Sequence, residues 1–262
     1  MNILDKIAEK TKQRIEEEKE FLSHKEIIKI LDSKDNNEEK SSFLEYFSQD
    51  DLNIISEIKL SSPSMGKISE LKPLDIAKMY LENGAKALSV LTEPYFFNGN
   101  INYISEIKEK YPKSKILMKD FVLSEYQIYK AKAFGANAIL LIVSLLEKKE
   151  LKEYLELCEK LKLNALVEVH DEEEMKIALD LDSKLIGVNN RNLKDLSISL
   201  KTSESLANLK TANITLISES GLKTNEDLVY LKSIGFDGFL IGTHFMKSDN
   251  PAQALKDILN KV

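Results

Sequence analysis

From residue 53 onward, short apolar runs alternate with longer segments in which apolar residues recur three and four apart. The short runs predict buried strands and the longer segments predict helices with one apolar face. Eight runs stand out: Asn53–Lys59, Lys86–Thr92, Ser114–Lys119, Ala136–Val143, Asn164–Val169, Lys184–Asn189, Asn213–Glu219 and Gly238–Ile241. Their starts are separated by about 20 to 33 residues, the length of one strand–helix unit. Between them, Leu151, Tyr154, Leu155, Cys158 and Leu161 form a helical stripe. Asp171 before Glu174, Thr224 before Asp227, and Asn250 before Pro251 read as helix starts. Gly84, Gly135 and Gly235 each end a helix just ahead of a strand.

Strands that are apolar with little alternation belong in a parallel sheet covered by helices. Eight such units predict an α/β fold, a closed (β/α)8 barrel of the TIM type. An open doubly wound sheet that bound a dinucleotide would carry a glycine-rich turn after its first strand. Here that turn is Leu60-Ser61-Ser62-Pro63-Ser64, so the barrel is the better reading.

Residues 1–50 do not fit the repeat. They predict an N-terminal helical extension with helices at about 2–21, 24–32 and 42–48 and a polar break from Lys34 to Lys40. One domain over 1–262 is expected, made of the 1–50 extension and a barrel over 51–262. The extension has three open uses: plugging the barrel base, capping its mouth, or packing against a partner.

Composition narrows the partners. Net charge is -6 and no basic block occurs, which argues against nucleic acid. No apolar run approaches the ~18 residues of a membrane span. The first twenty residues are charged throughout and lack the apolar centre of a secretory signal. A single cysteine, Cys158, excludes an internal disulfide and lies in a helical stripe, where core packing is expected. A cytoplasmic protein, monomeric and without nucleic-acid or membrane partners, is the expectation.

In such a barrel the active site lies at the C-terminal ends of the strands. Five runs end on polar residues: Glu57 and Lys59, Lys119, Glu168, Asn189 with Arg191, and Glu219 with Ser220. Alternation sends Glu57 and Lys59 to one side. One such residue reads equally well as a solvated strand end. Five ends converging on one mouth instead predict an acid–base site of two lysines and three glutamates. The turns Glu219-Ser220-Gly221 and Ile241-Gly242-Thr243 follow the last two strands, where barrels commonly hold phosphate on backbone N–H groups. His24, His170 and His244 have no metal-ligand spacing, so no metal is expected. His24 reads as a surface residue. His170 follows the fifth run, and its side chain is expected on the face opposite Glu168.

The segment Glu57-Ile58-Lys59-Leu60-Ser61-Ser62-Pro63-Ser64 resembles the first-strand signature of the indole-3-glycerol-phosphate synthase family. The likeness continues through Ser89–Glu93, Phe97-Asn98-Gly99, Leu117–Phe121, Leu140–Val143, Val167–His170, Gly187–Leu193, Glu219–Gly221 and Leu240–Thr243, in family order. It departs at Met65, where a lysine is common, and at Ser42, where an arginine often precedes the phenylalanine. The resemblance implies ring closure, decarboxylation and dehydration of 1-(2-carboxyphenylamino)-1-deoxyribulose 5-phosphate, without metal or organic cofactor. It implies Lys119 as the general acid at the substrate carbonyl and Glu168 as the proton-transfer group of dehydration. Lys59 would lie near the substrate carboxylate, sharing acid duties with Lys119. Glu57 and Glu219 would position these lysines. Asn189, Ser220 and Arg191 would hold polar groups of the substrate, and Ser62, Gly221, Gly242 and Thr243 its phosphate. Phe97, Phe121, Leu140, Leu193 and Leu240 would wall the aromatic ring. The competing readings are another phosphate-binding barrel such as phosphoribosylanthranilate isomerase, and a non-catalytic sugar-phosphate-binding barrel. The first usually needs a Cys–Asp pair, and no cysteine ends a run here.

Overall fold

A computed structural model of the chain describes residues 3–33, 43–47, 51–193 and 195–260. Eight parallel strands close into a barrel: β1 (Asn53–Ile58), β2 (Ala87–Leu91), β3 (Lys115–Lys119), β4 (Ala138–Ile142), β5 (Asn164–Val169), β6 (Leu185–Asn189), β7 (Thr215–Glu219) and β8 (Gly238–Ile241). β1 closes the ring by pairing with both β2 and β8. Each strand lies within its predicted run. The differences are trimmed ends, where the chain turns before the apolar stretch stops.

Alternation divides the strand residues into two cores. Ile54, Leu88, Val90, Ile116, Met118, Val167, Val169, Ile186 and Val188 point outward and are buried under the helices. Ile55, Ala87, Leu117, Ala138, Leu140, Leu166, Leu185, Ile217 and Leu240 point inward and fill the barrel. One inward step further along the strands, the residues become Glu57, Lys119, Glu168 and Glu219. The charged group thus stands on an apolar floor that excludes water from below.

The helices start where side-chain caps are available. Thr224 caps α10 (Asn225–Ser233) in a reciprocal box with Asp227, and Asn250 caps α12 (Pro251–Leu259). Asp171 caps α8 (Glu172–Asp180) through the Glu174 amide at 2.9 Å. The carboxylate of Glu174 does not return to the cap residue, as a full box would require. It turns to His170 instead.

The N-terminal residues serve both ends of the barrel. Helices α1 (Ile3–Phe21) and α2 (His24–Ser33) dock on α6 (Glu125–Ala133) through Ile15, Ile27, Tyr126 and Ala133. His24 is partly buried against the Tyr129 ring rather than a free surface residue. The predicted third helix, 42–48, is a 3-10 turn over Phe43–Tyr46 where it is described, and its remaining positions other than Phe47 lie outside the described residues. Phe43 and Phe47 pack into the interior cluster and seal the barrel base. Gly238 is needed there, since a Cβ would stand 2.6 Å from the Phe47 ring.

At the other end, Arg14 of α1 reaches the residue after β3. Its Nη2 donates to Asp120 Oδ1 at 2.9 Å, and both side chains are buried. Thr92 Oγ1 and the Phe121 amide complete the Asp120 carboxylate at 2.6 and 2.8 Å. Removing one partner of a buried pair strands the other charge, at about 3–5 kcal/mol. Arg14→Ala is therefore expected to lower unfolding stability by that amount in urea titration. A loss below about 1 kcal/mol, the range of exposed ion pairs, would show that the pair does not anchor the extension.

Candidate active site

The strand ends open into a cleft of about 380 Å³. Glu57, Lys59, Lys119, Glu168, Asn189, Glu219 and Ser220 line it together. So do Phe97, Phe121, Leu140, Leu193 and Leu240 on the apolar side, and Arg191, Gly221, Gly242 and Thr243 on the polar side. Ser62 is not brought to this wall. It lies on a small hairpin of Ser61–Ser62 with Gly66–Lys67, its hydroxyl 3.5 Å from that of Ser64. A larger hollow of about 730 Å³ opens at the barrel base between Tyr46, Lys110, Tyr111 and Lys113. Lys110 and Lys113 are exposed there, and none of the buried charged side chains of the cleft lines it.

Lys119 is the centre of the cleft. Its ammonium pairs with Glu219 and lies 3.2 Å from Glu168 Oε2. Lys59 pairs with Glu57 across one alternation step, as the sequence predicts. Asn189 Nδ2 donates to Glu168 Oε1 at 3.1 Å, and Asn189 Oδ1 accepts from the Arg191 amide at 3.0 Å. Arg191 is itself tied to the Leu196 carbonyl at 3.1 Å.

Burial would neutralise each of these groups, and the neighbours decide which resist. Burial pulls the Lys119 ammonium down, but Glu219, Glu168 and Glu57 hold it above the ordinary lysine range. Burial pushes the Glu168 carboxyl up, yet Lys119 and His170 keep it well below the carboxylate range. Glu57 is likewise lowered by Lys59 and Lys119 against its burial. Glu219 goes the other way. Its burial, with Glu168 and Glu57 nearby, outweighs Lys119 and raises it to about 7. Its Oε1 has no hydrogen-bond partner, as fits the carboxyl that gives way. Around Lys119 two carboxyls, Glu57 and Glu168, are thus held anionic, and the third, Glu219, is raised above the carboxylate range.

The residues around this group are shaped by it. A Cβ on Gly187 would meet Glu219 Oε1 at 2.1 Å, and one on Gly242 would meet Glu57 Oε1 at 2.5 Å. Ser220 and Gly221 follow in left-handed backbone, with φ of 67° and 86°. Asn190, unpredicted from sequence, staples that turn by donating to Ser218 Oγ, Glu219 O and Ser220 O at 3.0, 3.0 and 3.1 Å. Glu93 caps the turn Pro94–Phe97 through the amides of Tyr95, Phe96 and Phe97, and so aims Phe97 at Phe121, 6.0 Å between ring centroids. Lys223, His244 and Lys247, also unpredicted, line the cleft beside the two glycine turns. Their sequence signal is their position shortly after Gly221 and Gly242.

Cys158 is buried in α7 (Lys148–Lys160), where burial pushes its thiol up to about 12. It takes no part in the cleft. Among the described residues no group of His, Cys, Asp and Glu has the arrangement of a metal site.

Comparison with known proteins gives a consistent result. The family profile described as Indole-3-glycerol phosphate synthase matches residues 4–258. A protein of that name from Ruminiclostridium cellulolyticum is 43% identical over 254 residues, covering 97% of both chains. Those from Lachnoclostridium phytofermentans and Campylobacter jejuni subsp. doylei are each 41% identical, covering 98% of this chain and 98% and 100% of theirs. Among solved structures, 3-hexulose-6-phosphate synthase from Salmonella typhimurium superposes with a TM-score of 0.64 at 11% identity, covering 79% of this chain and 96% of that one. At that identity the likeness concerns the barrel fold alone.

The steric contact at Gly187 is directly testable. Gly187→Ala must push Glu219 off Lys119 or bend β6. It is expected to cost about 1–3 kcal/mol in denaturant unfolding, the usual range for overpacking. A neutral result would mean that Glu219 does not lie against β6.

Proposed function

The chain belongs to the indole-3-glycerol phosphate synthase family, and from that premise we propose how its cleft performs the reaction. The enzyme is a decarboxylating lyase of tryptophan biosynthesis. It converts 1-(2-carboxyphenylamino)-1-deoxyribulose 5-phosphate to indole-3-glycerol phosphate, carbon dioxide and water.

Lys119 is the general acid. The ring carbon that carries the carboxylate attacks the sugar ketone, and negative charge grows on the carbonyl oxygen. An alkoxide is a stronger base than an amine, so the proton passes from Lys119 Nζ to that oxygen as the bond forms. Before transfer, the buried ammonium already stabilises the growing charge. Loss of carbon dioxide then returns the electron pair to the ring and restores its aromaticity. In the dehydration, the ring nitrogen's electrons expel the hydroxyl group, which takes a proton from Lys59 and leaves as water. Glu168, supported by Asn189, then takes the proton from the carbon beside the nitrogen, and the electron pair left behind completes the indole.

Lys59 pairs with the substrate carboxylate and shares acid duties with Lys119. Glu57 and Glu219 fix the two ammonium groups. Phe97, Phe121, Leu140, Leu193 and Leu240 clasp the aromatic ring, which must fold over the sugar for attack. Asn189, Ser220 and Arg191 bind its polar groups. Gly221, Gly242 and Thr243 hold the phosphate, with Ser62 joining them if the hairpin after β1 closes over it. The observation that carries this reading is Lys119, buried between two carboxylates beneath an apolar wall.

We also infer a cytoplasmic monomer in which residues 1–50 form an extension of a barrel over 51–262. Support comes from the net charge of -6 without a basic block, and from the absence, among the described residues, of any helix long and apolar enough to cross a membrane. Light scattering is expected to give a mass near 29.8 kDa. A dimer mass would refute the monomer.

Turnover is followed by indole fluorescence. Lys119→Ala is expected to lower kcat by about 10²–10⁴-fold, the usual contribution of a positioned acid. KM is expected to change little. Lys119→Ala turning over like the parent would sink this assignment.

A further inference from the structure

His170 follows β5 directly, two residues after Glu168, and alternation puts its side chain on the same side as Glu168, not on the opposite face as expected from the sequence. Its Nε2 stands 3.2 Å from Glu168 Oε1, an ionic contact rather than an aligned hydrogen bond. Its Nδ1 lies 2.9 Å from Glu174 Oε2. The same Glu174 oxygen accepts the His170 backbone amide at 2.8 Å. Glu174 is fixed in turn, because its own amide is capped by Asp171. The side chain of His170 is only 12% exposed and does not line the cleft. It stands behind Glu168, out of reach of substrate.

A carboxylate can only accept, so the nitrogen facing Glu174 carries a proton. The second nitrogen faces another carboxylate, and there a proton turns repulsion into attraction. The ring is thus an imidazolium between two anions. Glu168 Oε1 is consequently occupied by His170 and Asn189, which leaves Oε2 for Lys119 and the cleft.

We propose that His170, clamped by Glu174, is a positioning residue that keeps Glu168 ionised with one oxygen aimed at the reaction. It rests on the reading of Glu168 given above. Among the described residues, the charged groups facing the imidazole are Glu168 from β5 and Glu174 from α8. Lys119 of β3 lies beyond Glu168. Burial lowers the imidazolium, but the two carboxylates overcome it and raise His170 to about 10. A raised value means that the pairing is fully present below the ordinary histidine range of ~6.5 and is lost as pH rises through about 10. Without His170, Glu168 protonates at higher pH, so the acid limb of kcat moves upward.

The test measures kcat and KM against pH for the parent, His170→Asn and Glu174→Gln. It adds ¹⁵N-histidine NMR titration of the parent and of Glu174→Gln. His170→Asn is expected to lower kcat about tenfold, the effect of one charged contact. KM should stay within about twofold, and the acid limb should rise by at least about half a unit. Glu174→Gln should move both in the same direction by less. One parent imidazole among the three should remain protonated past pH 8, and its midpoint should fall in Glu174→Gln. If His170→Asn fails to fold, Glu174→Gln and the parent titration decide. Unmoved limbs with kcat within twofold, or a parent His170 titrating near its ordinary value, would overturn the inference. Glu168→Gln in the same assay separates the two readings. Full turnover there removes the role of Glu168 and that of His170 with it. Lost turnover in Glu168→Gln beside unaffected His170 and Glu174 variants overturns the His170 inference alone.

Discussion

An ammonium group buried at the mouth of a barrel is tolerable only if neighbours neutralise it, and the arrangement around Lys119 follows from that requirement. A single carboxylate would leave protons of the ammonium unpaired in a dry site. Glu219 and Glu168 come from β7 and β5, and Glu57 adds its field from β1. Three acids so close cannot all stay ionised, and Glu219 is the one that yields. This is how a site of fixed charges comes to contain one group able to change charge near pH 7.

The crowding at the mouth sets conditions on the scaffold. Gly187 and Gly242 leave the volumes that Glu219 and Glu57 occupy. Asn190 secures the left-handed turn at Ser220, a conformation that costs a residue with a Cβ about 1 kcal/mol or more. The extension contributes at both ends of the barrel. Phe43 and Phe47 close the base, while Arg14 saturates Asp120, the residue immediately after Lys119. The strand carrying Lys119 is therefore anchored at its tip as well as within the sheet.

The fold and most of the site were legible because both depend on period-two alternation and on strand ends. Ile55 and Glu57 show it within β1 and Lys59 one residue beyond it, and their inward orientation could be read by counting. What counting missed begins where the strand stops. His170, two residues after Glu168, lies on the same side by that count, and Glu174 on the next helix holds its ring behind Glu168 and off the cleft wall. Ser62 has the same problem, since a hairpin of two-residue strands carries it off the cleft wall. Asn190 gave no signal beside Asn189, yet Asn189 faces the cleft while Asn190 fastens β6 to β7. Segment 42–48 has helical composition, but Phe43–Tyr46 is held as a 3-10 turn, with the Phe43 amide donating to Asn164 Oδ1 at 2.8 Å. In each case a contact made beyond the strand repeat decided the outcome.

Charge balance connects the site to the course of the reaction. Along the cleft wall Lys59, Lys119, Arg191, Lys223 and Lys247 face Glu57, Glu168 and Glu219, while Asp120 is already paired with Arg14. A substrate with a carboxylate and a phosphate adds negative charge at two ends. With the roles proposed here, Lys59 meets the first, and the glycine turns with Lys223 and Lys247 meet the second. Decarboxylation removes one of these anions inside the cleft. The product keeps its phosphate contacts and loses its hold on Lys59, which is free to return to Glu57. Electrostatic attraction therefore favours substrate over product by the worth of one ion pair, and the chemistry itself loosens the grip that release must break.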